Sequence, residues 1–446
     1  MIYTPTLESI RLCLEGIIPS ALATSDHQGM PNVTYVSQAM YVDCQHIALT
    51  FQFFNKTREN ILANPIATLL TMDPVTAARY RLVLQYLRTE TSGPQFEKMR
   101  AKLAGIASYE GMVGVFKLRG ADIYRVLSIE HLPGRELMAM PNNPALLPAL
   151  RRTVDSLGRY HSLENLVDTM LDSLDRHFNI RNSMLLMADP TAQKLYTLAS
   201  RGYDRSGIGS EIPFGVGVIG VAAKERVPIR IMYFAAEYAY TKAVREQLID
   251  DGRADKLEDR IPLPGLSEPG SQLAVPILAN GHLQAVLYVE SDQACRFNYD
   301  DEDALVAICA QVGEAMQSLQ SQPPAEVCHS PGLCPTPQGT AIRVKYFLTD
   351  HSVFLDEEYL IKGVAGAILW RLLNQFKHEG RIEFTTRELR LDNAIPLPDV
   401  SDNLDARLLL LSRRLKERSD YLFIEKAGRG RIKLVMHRPV ELQVGA

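Results

Sequence analysis

The chain has 446 residues, with 48 Lys/Arg against 52 Asp/Glu and a formal net charge of −4 at pH 7. One hydrophobic core rarely organises more than about 250–300 residues, so this length predicts several domains. The charge is uneven: residues 340–446 hold 18 Lys/Arg and 15 Asp/Glu, or +3, leaving −7 for the remainder. An acidic body with a basic end excludes a general nucleic-acid coat and points to a localised contact with DNA. The opening stretch, MIYTPTLESIRLCLEG, lacks the basic-then-apolar order of a secretory leader, and no run reaches about 18 apolar residues. A cytoplasmic protein without a membrane partner is expected. Six cysteines over this length make no disulfide framework.

From residue 1 to about 130, short β-rich runs alternate with turns. Ser20–Ser25, the turn Asp26-His27-Gln28-Gly29 and Pro31–Ser37 read as a hairpin. Met40–Val42 with Ile47–Phe51 reads as a second pair, and Ala67–Met72, Leu82–Thr89 and Gly114–Val126 continue the sheet. Such spacing predicts a small closed barrel. Gly93–Ala107, with Phe96, Met99 and Leu103 on one side, reads as a packing helix. Between strands lies Asn55-Lys56-Thr57-Arg58-Glu59-Asn60, opening a helix that ends near Asn64-Pro65. A lysine charge, a threonine hydroxyl and the free amides of a helix start suit a phosphate, and a surface helix cap is the competing reading. This order of strand, turn and helix resembles the FMN-binding split barrel of the pyridoxamine-phosphate-oxidase-like superfamily. The resemblance implies that Lys56, Thr57 and Arg58, with Asn55 beside them, hold a flavin phosphate, and that Ser37 and Gln38 approach the ring. FMN is the cofactor it implies first, ahead of FAD or haem. No Arg/His cluster for a pyridoxal-type phosphate is found, so oxidation of pyridoxamine phosphate is not expected.

Residues 131–156, with Pro133, Pro141, Pro144 and Pro148, read as a linker, although helical periodicity already begins at Leu150 and runs to Phe178. Strands follow at Arg181–Met187, Leu195–Ser200, Ser271–Leu278 and Leu283–Ser291, the last two turning at Asn280-Gly281. FGVGVIGVAA, the pair SQLAVPI and AVLYVES, and the Phe297–Met316 helix together resemble a GAF domain over 157–320. The resemblance implies a small-molecule ligand. Gly215, Gly217 and Gly220 follow no βαβ start, so they read as a turn into a short helix rather than a dinucleotide loop. The insertion Tyr233–Pro269 is expected over the ligand pocket.

Residues 321–340 carry five prolines and form a connector. Cys328, His329 and Cys334 within it supply at most three metal ligands, where a closed zinc site wants four. No metal is therefore expected; the two thiols read first as solvent-exposed bystanders, with a redox-responsive disulfide as the alternative.

From 341 to the end, strands at Val344–Phe347 and Ser352–Leu355 precede an apolar-periodic helix at Val364–Phe376. A second helix opens at Thr385, with Glu388 placed for a capping box. A third carries Leu404, Leu408, Leu411 and Leu415 on one stripe, and two β-rich runs, Tyr421–Glu425 and Arg431–Met436, close the chain. Arg407 to Arg438 hold ten Lys/Arg against Glu417, Asp420 and Glu425, a local charge of +7. A cationic helix followed by a cationic hairpin suits a DNA groove and its phosphates. The order resembles the winged-helix DNA-binding domains of response-regulator-type transcription factors. That resemblance makes Arg407, Arg413, Arg414, Lys416, Arg418, Lys426, Arg429 and Arg431 the expected DNA contacts.

The expected whole is a multidomain α+β protein: split β-barrel, GAF α/β sandwich, winged helix-turn-helix. Its expected role is that of a sensor-regulator whose DNA binding follows flavin redox state or a GAF ligand. A homodimer pairing through Leu163–Leu174 and Leu305–Leu319 would suit paired half-sites. The rival is a flavin-dependent oxidoreductase with regulatory GAF and C-terminal parts, and a third is a signalling adaptor. No Ser/His/Asp, Cys/His or paired-carboxylate set stands out, so the chain is not primarily read as an enzyme.

Overall fold

The computed structural model describes residues 5–15, 18–36, 38–51, 55–93, 95–100, 118–137, 146–231, 261–294, 296–321, 340–397, 404–428 and 430–445. The N-terminal unit is a seven-stranded antiparallel sheet in the order β2-β1-β5-β6-β7-β4-β3. Its strands are β1 (Ser20–Ser25), β2 (Pro31–Val36), β3 (Ala39–Tyr41), β4 (His46–Phe51), β5 (Ile66–Met72), β6 (Arg79–Glu90) and β7 (Gly120–Leu132). The sheet curls into a half-barrel around Leu22, Leu49, Leu69, Leu82, Leu84 and Tyr124. The expected closed barrel is not formed: among the described residues β2 and β3 end the sheet without pairing to each other. Helix α1 (Asn55–Ala63) crosses from β4 to β5. Of the expected Gly93–Ala107 helix, residues 95–100 are helical and bury Phe96 and Met99, while 101–107 lie outside the described residues.

The central unit is a six-stranded antiparallel sheet, β10-β9-β8-β13-β12-β11. It comprises β8 (Asn182–Asp189), β9 (Lys194–Arg201), β10 (Glu211–Pro213), β11 (Ile229–Ile231), β12 (Ser271–Ala279) and β13 (His282–Ser291). One face packs on α2 (Leu146–Leu157), α3 (Leu163–Phe178) and α5 (Tyr299–Ser321), and the other on α4 (Gly217–Glu225). Part of the expected linker is thus a helix: Ala149, Thr153 and Leu157 of α2 are buried in this core. The Asn280-Gly281 turn has both residues at positive φ, as a tight two-residue hairpin needs. Gly220 is required by closeness, since a Cβ there would sit 2.3 Å from the Pro213 carbonyl oxygen.

The C-terminal unit opens with β14 (Ile342–Phe347), β15 (Ser352–Leu355) and β16 (Glu358–Ile361), joined by β20 (Val440–Gly445) running parallel to β14. Then come α6 (Gly363–Glu379), β17 (Glu383–Thr385), α7 (Thr386–Leu391), α8 (Leu404–Arg418) and the hairpin β18 (Leu422–Lys426) and β19 (Arg431–Met436). The Thr385/Glu388 capping box forms at the start of α7.

The three units are packed together. Arg230 of β11 is 3% exposed and bonds Glu15 of the N-terminal unit and Glu302 of α5, both at 2.8 Å. Its guanidinium lies 4.4 Å from the Tyr299 ring centroid. One continuous apolar cluster runs from α3 and the central sheet into α6 and α8. The faces of α3 and α5 expected to pair two copies are consumed by it: Leu166, Met170, Leu174, Leu305, Ile308 and Val312 are buried within one chain. Among the described residues no helix is long and apolar enough to cross a membrane.

Candidate functional site

Two anion-binding candidates were expected, and their local chemistry can be built from the residues up. At the N-terminal turn, α1 places Lys56, Thr57 and Arg58 beside the half-barrel. Lys56 is half-exposed, with Nζ 3.8 Å from an Asp26 carboxylate oxygen. Thr57 is buried, and its hydroxyl accepts a 2.9 Å hydrogen bond from the Asn32 amide. Arg58 points inward: Nη1 donates to Asp122 Oδ1 at 2.9 Å, and the guanidinium lies 4.9 Å from the Phe51 ring and 5.3 Å from Tyr86. Burial pushes the Asp122 carboxyl above its ordinary range despite Arg58 and the Thr89 hydroxyl. Leu22, Val36, Leu49, Ile61 and Tyr124 fill the rest, leaving a cavity of about 10 Å³, room for one water.

Gln38 adds a different signal. It is 3% exposed, and neither its amide nitrogen nor its amide oxygen has a partner among the described residues. A buried amide left unpaired costs free energy, so such a group calls for a partner. Ser37 and the Asn55 side chain lie outside the described residues. Asp26, Asn32 and Asp122, which decide what the turn does, were not singled out from the sequence. Asp122 is 64 residues from Arg58, and no local pattern links them.

At the C-terminal candidate, three of the arginines are engaged within the chain. Arg407 is 5% exposed; Nη2 donates to Asp189 Oδ2 of β8 at 2.7 Å, and its guanidinium sits 4.3 Å from the Tyr196 ring. Arg413 bonds Asp168 of α3 at 2.7 Å and the Leu198 carbonyl at 3.3 Å. Arg414 is buried against the Leu360 carbonyl at 2.9 Å and Glu417 at 3.2 Å. In this arrangement none of the three is presented to DNA. The reason is the helix itself: beyond the core stripe, Leu409 and Leu410 are also buried, so α8 is apolar on two sides and docks on the central unit. Lys362–Glu211 at 3.3 Å, Lys426–Glu164 at 3.9 Å and the Ser206–Glu417 hydrogen bond continue that seam. Lys416, Arg418 and Lys426 remain exposed, Arg431 is half-buried, and Arg429 lies outside the described residues.

No cluster of three or more His, Cys, Asp or Glu able to hold a metal exists among the described residues. Cys328, His329 and Cys334 lie outside them, as does 232–260 of the insertion. Burial pushes the Cys13 thiol up to about 12 and raises that of Cys309, so neither is a nucleophile near neutral pH.

With the geometry in view, residues 7–126 match the family model described as pyridoxamine 5'-phosphate oxidase, and 161–317 match the GAF domain model. No curated protein matches the chain. Among solved structures, the GAF domain of a phosphoenolpyruvate-protein phosphotransferase from Acinetobacter is 20% identical, covering 39% of this chain and 94% of that one, with a TM-score of 0.31. An FMN-binding protein from Syntrophomonas wolfei is 16% identical over 29% of this chain and 86% of its own, TM-score 0.25. The free methionine-R-sulfoxide reductase of Neisseria meningitidis is 17% identical over 41% and 94%, TM-score 0.30. The chain therefore joins a pyridoxamine-phosphate-oxidase-like N-terminal domain to a GAF domain, the composition of a sensory, flavin-related protein.

Proposed function

We propose that the chain is a DNA-binding regulator, a winged-helix output held by the GAF-type sensor until a signal releases it. The observation that carries this is the seam at α8. A helix, short helix, basic helix and hairpin follow in winged-helix order, yet two arginines of the basic helix are ion-paired to Asp168 and Asp189 of the central unit. The same helix cannot both dock there and enter a major groove, so docking and DNA binding exclude each other. A GAF ligand with different affinity for the two arrangements would shift their balance. The regulator would act as a dimer on paired half-sites, through a surface other than the buried faces of α3 and α5.

FMN is proposed for the N-terminal unit, supported by the family match, the half-exposed Lys56 at the start of α1 and the unpartnered Gln38 amide. Lys56 would hold the phosphate and Gln38 a ring edge. Thr57 and Arg58 are already engaged, and the cavity they line, about 10 Å³, is too small for an isoalloxazine ring. When bound, the flavin would supply a redox-sensitive group, which reports on its surroundings through its binding partners.

The test uses the full chain and fragments of genomic DNA at low salt. Replacing Asp168 by Asn and Glu164 by Gln loosens the seam at exposed positions, and is expected to strengthen DNA retention tenfold or more. Adding Lys416→Ala and Arg418→Ala should then lower the salt slope by about 2. Absence of retention in wild type and loosened variant alike would overturn the regulator.

A further inference from the structure

A second polar cluster lies on the sheet face of the central unit that α4 covers. Gln272 of β12 and Glu290 of β13 stand opposite each other in register, and Tyr288, two residues along, shares their face. Glu290 is 3% exposed and Gln272 is 4% exposed. The Glu290 carboxylate accepts from the Leu266 backbone N–H at 2.9 Å, from the Tyr288 hydroxyl at 2.9 Å and, weakly, from the Gln272 amide at 3.5 Å. The Tyr203 hydroxyl is buried and has no hydrogen-bond partner among the described residues. The oxygen of the Gln272 amide has no hydrogen-bond donor among the described residues.

The cluster is unbalanced in two ways. Its carboxylate makes no ion pair with Lys, Arg or His among the described residues, although a buried carboxylate is ordinarily paired. It also has a surplus acceptor in Gln272. What is missing is one positive charge carrying several N–H donors.

We propose that Glu290 and Gln272, flanked by Tyr288 and Tyr203, bind the protonated primary amine of a small organic ligand of the GAF-type unit. An ammonium group brings the charge that Glu290 lacks, one N–H for the Gln272 oxygen and an apolar stem for the surrounding face of Met184, Ala274 and Val286. A divalent metal is the wrong occupant. Calcium and magnesium want about six oxygen ligands and more than one carboxylate, and no three-residue ligand cluster is present among the described residues.

The inference does not depend on DNA binding, and its test is read without DNA. The full chain is titrated by calorimetry with methylammonium, phenethylammonium, glycinamide, tetramethylammonium and acetate. At least one primary ammonium should bind, acetate should not, and tetramethylammonium, which has no N–H, should bind at least tenfold more weakly. Glu290→Gln keeps size and shape while removing the charge, and should weaken the primary ammonium tenfold or more. Gln272→Leu, which leaves the charge in place, should weaken it severalfold and serves if the first variant fails to fold. Failure of every primary ammonium to bind, equal binding of tetramethylammonium, or unchanged binding in either variant overturns the assignment.

Discussion

The turn at Lys56–Arg58 and the helix at Arg407–Arg414 use the same chemistry to different ends. Each sets an arginine against a buried aspartate with an aromatic ring alongside: Arg58 with Asp122 and Phe51, Arg407 with Asp189 and Tyr196. The first pair lies within one folded unit, and no motion short of unfolding returns Asp122 to water. The second spans two units, so separation can solvate both partners. An ion pair inside a domain holds a fold, whereas one between domains can hold a state.

The largest expected effect tests the fixed pair. Arg58→Met leaves Asp122 buried and uncompensated, which should cost about 3–5 kcal/mol, and Arg58→Met with Asp122→Leu should recover most of it. Urea denaturation measures both, and a cost under about 1 kcal/mol for the single variant would remove the distinction. Arg407→Met should cost less, up to about 3 kcal/mol, because undocking lets Asp189 reach solvent. Its signature would be faster proteolysis within 321–340 at unchanged unfolding of the N-terminal unit. Cleavage no faster than in wild type would make the seam as permanent as the half-barrel.

A smaller effect concerns pH. The raised Asp122 carboxyl means that the folded state holds its proton more tightly than the unfolded chain does. That contribution is complete below the ordinary value of about 3.9 and is lost as pH rises through the raised one. Asp122→Asn cannot titrate, so its stability relative to wild type should improve as pH rises from about 4 to 7. Denaturant midpoints across that range give the sign. The smallest effect is expected at the surface. Lys56→Ala should change stability by less than about 0.5 kcal/mol while reducing FMN retention on gel filtration, followed by flavin absorbance. Unaltered retention would separate the turn from the cofactor.

Much of the architecture was legible in the amino acids. Alternation over Ser20–Ser25 and the neighbouring runs anticipated six strands of the N-terminal sheet within a few residues. Asn280-Gly281 marked its hairpin, and Thr385 with Glu388 marked the start of α7. These are local signals: a turn or a cap is decided by residues adjacent in the chain. Helix α2 was half hidden because prolines at 141, 144 and 148 suggested a linker, although a helix tolerates proline in its first turn.

The sequence by itself determined which segments would be strands and helices, that the chain would divide into units, and where cationic residues would gather. It counted ten Lys/Arg between Arg407 and Arg438 but contained no statement of what would face them. Only the tertiary structure decided that, by bringing Asp122 to Arg58, Asp189 to Arg407 and Asp168 to Arg413 across 64, 218 and 245 residues. Secondary structure follows from periodicity along the chain. The use of a charge follows from its partners in space, and those are set when distant apolar faces such as Leu409 and Leu410 choose what to bury against.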